Sequence, residues 1–236
     1  MNAILHPSET RGKAQLEWLE SYHSFSFASY FNPERMGFGA LRVINDDYIA
    51  PSGGFDTHPH QNMEIITIPL CGSIQHEDSI GNKYIIQDGD IQVMSAGTGI
   101  SHSEFNHSGS ETGNFLQIWV NPKELNVPPN YSQKTFEKRE YLDKIHLLVS
   151  PDGRNNSVSI NQNAFFSRVK LSEGKKLVYS KYMPTNGIYF FNIEGGFKVS
   201  GHNLLRRDGL GMESYNDIEI RAEAMGELLI IEVPLD

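Results

Sequence analysis

The chain has 236 residues, 39% hydrophobic and 21% charged, which excludes intrinsic disorder and suffices for a sizeable core. Twenty Lys and Arg against 29 Asp and Glu leave a formal charge of −9. That acidic field argues against a nucleic-acid partner, because the densest basic pair, Lys138-Arg139, is flanked by Glu137 and Glu140.

From the start, Met1 to Pro7 lacks the basic and apolar regions of a secretory signal. Lys13 to Glu20 is the best helix candidate, with Leu16 and Leu19 three apart. After it come short apolar runs, each ending near Gly, Pro, Asn or Asp: Ala40 to Ile44, Ile65 to Leu70, Tyr84 to Ile86, Ile91 to Met94 and Phe115 to Val120. That pattern predicts an all-β sandwich or barrel, and no βα alternation is present. Cys71 is the single cysteine, so no intramolecular disulfide forms and a reducing compartment is expected. The longest aliphatic run, Leu228 to Ile231, has four residues against the roughly twenty a membrane span needs. A cytoplasmic protein that spans no membrane is the expectation.

A weak internal repeat divides the chain. Gly72, Asp88-Gly89 and Ile118 to Pro122 are echoed by Gly195, Asp208-Gly209 and Ile231 to Pro234. The polar stretch from Pro122 to Glu140, with Pro128-Pro129 in it, is the expected seam. Two domains follow, 1–135 and 136–236.

Two short clusters carry chemistry. In a strand, residues i and i+2 share a face, so His58 and His60 point together, as do His102 and Glu104. Three imidazoles and a carboxylate suit a divalent transition metal. Gly97 and Gly99 supply a bend that could bring the second pair to the first. Glu64 has the same parity as His60, so the spacing leaves two candidate carboxylates.

The segment Gly54-x3-His58-x-His60-x3-Glu64-x7-Gly72 resembles the first cupin motif, and Gly89-Asp90 followed by Gly99-x2-His102-x3-Asn106 resembles the second. Thr57 to His60, Gln75 to Asn82 and Met94 to Glu104, with His23 to Ala28 and Leu41 to Asp47 upstream, resemble the pirin family. The likeness is strong over about residues 10–122 and is closest to the short bacterial pirin-like quercetin 2,3-dioxygenases. It implies a bicupin, two tandem β-barrel units, with one divalent metal in the first. The family's carboxylate comes from the second motif, which implies His58, His60, His102 and Glu104 as ligands. Iron(II) is the first expectation, with zinc, nickel, copper, cobalt and manganese left open.

The resemblance further implies a dioxygenase that opens a flavonol-like substrate with O2 and releases carbon monoxide. Glu104 would be both ligand and catalytic base for the 3-hydroxyl proton. Phe38, Phe55 and Met63 are candidates for an apolar pocket, and His23 and His76 for partners behind the ligands. The alternative is a pirin-like regulator that senses metal or redox state and binds a protein partner. Aligning the repeat places Lys181-Tyr182-Met183 over His58-Pro59-His60 and Ala222 over His102. His202 lies before Asp208-Gly209, on the wrong side to replace His102, so the second unit is expected to hold no metal.

Overall fold

The structure is a computed structural model and describes residues 3–215 and 217–235. Strands dominate it. The first half carries β1 (Ala3–His6), β2 (Gly12–Gln15), β3 (Leu19–His23), β4 (Leu41–Ile49), β5 (Gly54–His60), β6 (Glu64–Cys71), β7 (Ser73–Asp78), β8 (Lys83–Gln87), β9 (Asp90–Ser95), β10 (Ile100–Asn106), β11 (Gly113–Val120) and β12 (Asn130–Thr135). The second carries β13 (His146–Ser150), β14 (Val158–Ser159), β15 (Phe165–Leu171), β16 (Lys176–Ser180), β17 (Asn186–Val199), β18 (His202–Leu204), β19 (Gly209–Met212) and β20 (Asp217–Pro234). Three short 3-10 turns complete the elements, and no described helix is long and apolar enough to cross a membrane.

The helix expected over Lys13 to Glu20 does not form. Gly12–Gln15 and Leu19–His23 pair as an antiparallel hairpin. Leu19 then sits opposite Ile49 of β4 and is buried, so tertiary pairing overrides a weak local period.

Two sheets face one another in the first half. Seven strands run β12-β9-β6-β11-β4-β3-β2, and four run β5-β10-β7-β8. The chain crosses between them at Gly72, where φ is +80° and an added Cβ would come within 3.1 Å of Gly113 Cα. The second half forms a nine-stranded sheet around the long β17 and β20. Its interior is apolar: Val169, Tyr179, Ile188, Phe190, Phe197, Ile218 and Ile220 share one buried cluster, and Ala222 lies within it.

The two halves are knitted together. β1 leaves its own half and pairs with β19 in the second sheet. One core cluster draws Ile44, Ile66, Ile118 and Val120 from the first half and Leu148, Phe166, Tyr189 and Ile231 from the second. The expected seam is partly ordered, since β12 lies inside it and pairs with β9.

Candidate metal centre

The four-stranded sheet aims its functional side chains at the seven-stranded one. On β10, His102 sits opposite His58 of β5, while Glu104 sits opposite Phe55. Two steps on β10 thus span three on β5. Such a bulge re-aims side chains, and here it keeps His58, His102 and Glu104 turned to the same space. The loop before β10 is held by Gly97, whose φ is +48° and whose added Cβ would lie 2.0 Å from the Val127 carbonyl oxygen. Only glycine fits that close approach.

His58, His60 and His102 each present a ring nitrogen, and these atoms lie within 4.8 Å of one another. The rings meet at centroid separations of 4.4 to 4.9 Å. His102 is buried, and its Nε2 is enclosed without a hydrogen-bond partner among the described residues. Burial, followed by the neighbouring imidazoles, lowers the His102 pKa to about 3 and that of His60 to about 4. Both rings are therefore neutral near pH 7, the form that ligates metals. A convergent set of neutral imidazoles with an orphaned buried nitrogen fits a divalent transition ion.

Glu104 is also buried. Its Oε1 accepts from Thr67 Oγ1 at 3.3 Å and its Oε2 from Gln117 Nε2 at 2.6 Å. Trp119 Nε1 donates to Gln117 Oε1 at 3.2 Å, which leaves the Gln117 amide N–H for Glu104. The Trp119 ring meets His60 edge-on at 5.0 Å. A second cluster, His76, His102 and Glu104, also has ligand-type atoms within 4.8 Å. Both clusters of this kind among the described residues lie in the first half.

Glu64 has a different place. Its Oε2 accepts from Ser95 Oγ at 2.6 Å and from the Asn161 backbone N–H at 3.1 Å, which ties the halves together. Strand parity does not carry from His60 to Glu64, because β5 ends at His60 and Asn62 turns the chain at φ +50°.

Of the pocket candidates, Phe55 flanks His58 at 6.2 Å. Met63 packs in a cluster with Ile65, Met94, Ala96 and Ile100. Phe38 is remote, packed against Tyr189 in the core shared by the two halves. A cleft of about 400 Å³ borders the centre at His60 and is lined by Pro59, His60, Gln61, Ser79, Thr98, Gly99, Ile100 and Ser101. His23 is buried and bonded to Asn45 at 2.8 Å, whereas His76 is in direct contact with His102.

Of the polar floor under the centre, sequence reasoning found only His23. His23, Asn45, Gln117, Thr67, Gln92 and Gln133 stand opposite one another on six adjacent strands. Gln117, Thr67 and Gln92 each lie in an otherwise apolar run, and only the long-range register brings the six into one row. Asp78 was detectable, since His76-x-Asp78 has the same two-residue spacing as the ligand pairs.

Comparison with known proteins places the fold and the family. The Pirin family model matches residues 5–120, and the model of the quercetinase C-terminal cupin domain matches residues 147–233. The chain is 39% identical over 230 residues to quercetin 2,3-dioxygenase of Escherichia coli K12, covering 98% of each. It is 39% identical over 227 residues to a pirin-like protein of Caulobacter vibrioides, covering 96% of this chain and 97% of the relative. The crystal structure of the bacterial pirin YhhW from Escherichia coli in complex with nickel(II) matches with a TM-score of 0.94 at 38% identity, covering 100% of both chains. The fold is thus a bicupin of two cupin-type units, and the chain belongs to the pirin family.

Proposed function

We propose that the protein is a metal-dependent dioxygenase of the quercetin 2,3-dioxygenase type, with one divalent metal held by His58, His60, His102 and Glu104. The observation that carries this reading is the convergence of three imidazoles, with the buried, unpaired Nε2 of His102 among them, beside a buried carboxylate. The curated relative of Escherichia coli bears that activity as its name. Iron(II) is the proposed native ion by family resemblance; the YhhW complex contains nickel(II).

The metal would supply Lewis acidity toward the 3-hydroxyl and 4-carbonyl oxygens of a flavonol. The chain's own residues do the rest. Neutral His60 and His102 offer lone pairs without first losing a proton. Thr67 and Gln117 hold the Glu104 carboxylate as an acceptor, aimed at the centre, where it takes the 3-hydroxyl proton. A flat ring would lie along the cleft that Pro59, His60 and Ile100 help to line. The substrate, so deprotonated, reacts with O2, and its ring opens with release of carbon monoxide.

Steady-state assays on the purified full chain test this, following quercetin loss and carbon monoxide in the headspace. Iron-loaded protein should turn over, and chelated protein should not. Glu104→Gln keeps the shape but loses the base, so its rate should fall by roughly 10²–10⁴-fold. Glu64→Gln, outside the centre, should retain most activity. A metal-loaded protein without turnover would instead favour a metal- or redox-sensing regulator with a protein partner.

A further inference from the structure

Resting on the metal centre assigned above, we propose that Asp78 and His76 form a positioning pair that fixes the ring tautomer of His102 and so presents its Nε2 lone pair to the metal. The three side chains form a line. His76 Nε2 lies 3.1 Å from Asp78 Oδ2, and His76 Nδ1 lies 3.4 Å from His102 Nδ1. Neither the His76 nor the Asp78 side chain is open to solvent. Register places them deliberately, since His102 stands opposite Asp78 and Glu104 opposite His76.

Donor and acceptor roles follow in order along this line. Asp78 Oδ2 also accepts from Asn82 Nδ2 at 2.8 Å, and Oδ1 accepts from the backbone N–H groups of Ile80 and Asn82. Four donors surround the carboxylate, so it is an ionised acceptor on every side. Burial opposes that charge, but the hydrogen bonds from Asn82 and His76 outweigh it and hold the Asp78 pKa below its ordinary value. His76 must therefore carry its proton on Nε2. In the neutral ring its Nδ1 is then a lone pair, and the proton shared with His102 must sit on His102 Nδ1. His102 Nε2 is left as a lone pair. The opposite assignment would set two lone pairs against each other at Asp78 and bury an unpaired N–H at His102 Nε2, a costly arrangement.

The same argument separates His76 from the ligands. Although it lies within ligand spacing of His102 and Glu104, both of its nitrogens are already engaged, one by Asp78 and one by His102. Tyr131 covers its ring at 4.8 Å. Metal-bound histidines commonly depend on such a partner at the other ring nitrogen. Here the partner is a second imidazole, itself oriented by a carboxylate.

Two measurements on the full chain test the proposal. In metal-free protein with ¹⁵N-labelled histidine, long-range ¹⁵N–¹H correlation should show His76 protonated on Nε2 and His102 on Nδ1. A proton on His102 Nε2 would overturn the proposal. Nickel(II) titration then compares wild type with His76→Leu, His76→Gln and His102→Ala. His76→Leu should weaken binding by about 10–100-fold. His76→Gln can still donate to Asp78 and accept from His102, so it should stay within a few-fold of wild type. Wild-type affinity in His76→Leu, or an equal loss in both variants, would overturn the pair while leaving the centre intact. Undiminished binding in His102→Ala would instead overturn the centre itself, and the pair with it.

Discussion

Asp47 is enclosed between strands, and its carboxyl carries the cost of that burial. Burial raises its pKa to about 7; the Ser21 hydroxyl bond opposes the shift, and the nearby Asp46 and Glu104 carboxylates add to it. The sign follows from linkage. At low pH the group is neutral in both folded and unfolded chains, and nothing is lost. As pH rises from 3.8 toward 7, the unfolded chain ionises first, so stability falls by roughly 1.4 kcal/mol for each pH unit crossed. Asp47→Asn keeps an acceptor for Ser21 and removes the titration. Urea unfolding should therefore find the variant more stable than wild type at pH 8, with the gain shrinking toward pH 5. An equal effect at both pH values would show that Asp47 is not held neutral by its surroundings. Glu64 is the contrasting case. Its bonds to Ser95 and Asn161 give it a task in joining the halves rather than in the centre.

At the level of strands, the two-residue period made the ligand pairs readable, because β5 and β10 are strands and alternation fixes which residues share a face. The same rule misled where the strand stopped: carrying parity from His60 to Glu64 ignored the turn at Asn62. It also sets His76 and Asp78 on one face of β7, but the roles proposed for them depend on β7 lying against β10, a pairing that no local pattern encodes. The Gln117 row shows the limit most clearly. Gln117 lies between Leu116 and Ile118 in a run that reads as plain core, yet register sets it beside Asn45 and Thr67. The Lys13 to Glu20 segment failed for the converse reason: two leucines three apart outline a helical face, but pairing with β4 recruits the segment as a hairpin.

Across the whole molecule, the second half is expected to support the first. β1 pairs with β19, Ala40 N–H donates to the Pro234 carbonyl, and Arg207 bonds to Asn114 Oδ1 and pairs with Asp46. The positions aligned with the ligands have other tasks: Lys181 Nζ donates to the Pro184 and Asn186 carbonyls at 2.7 and 2.8 Å, and Ala222 is buried among apolar side chains. A fragment of residues 1–135 would leave β1 without its sheet and uncover the shared apolar core, so it should aggregate or unfold at lower temperature than the full chain. A soluble, fully active fragment would contradict that role. The account as a whole turns on one metal at one centre, which anomalous diffraction from crystals of the metal-loaded full chain tests most directly, with data collected at the absorption edge of the bound ion. The account predicts a single peak per chain, bonded to His58, His60, His102 Nε2 and Glu104. A peak ligated by other residues, a second peak in the second half, or no peak in metal-loaded crystals would contradict it.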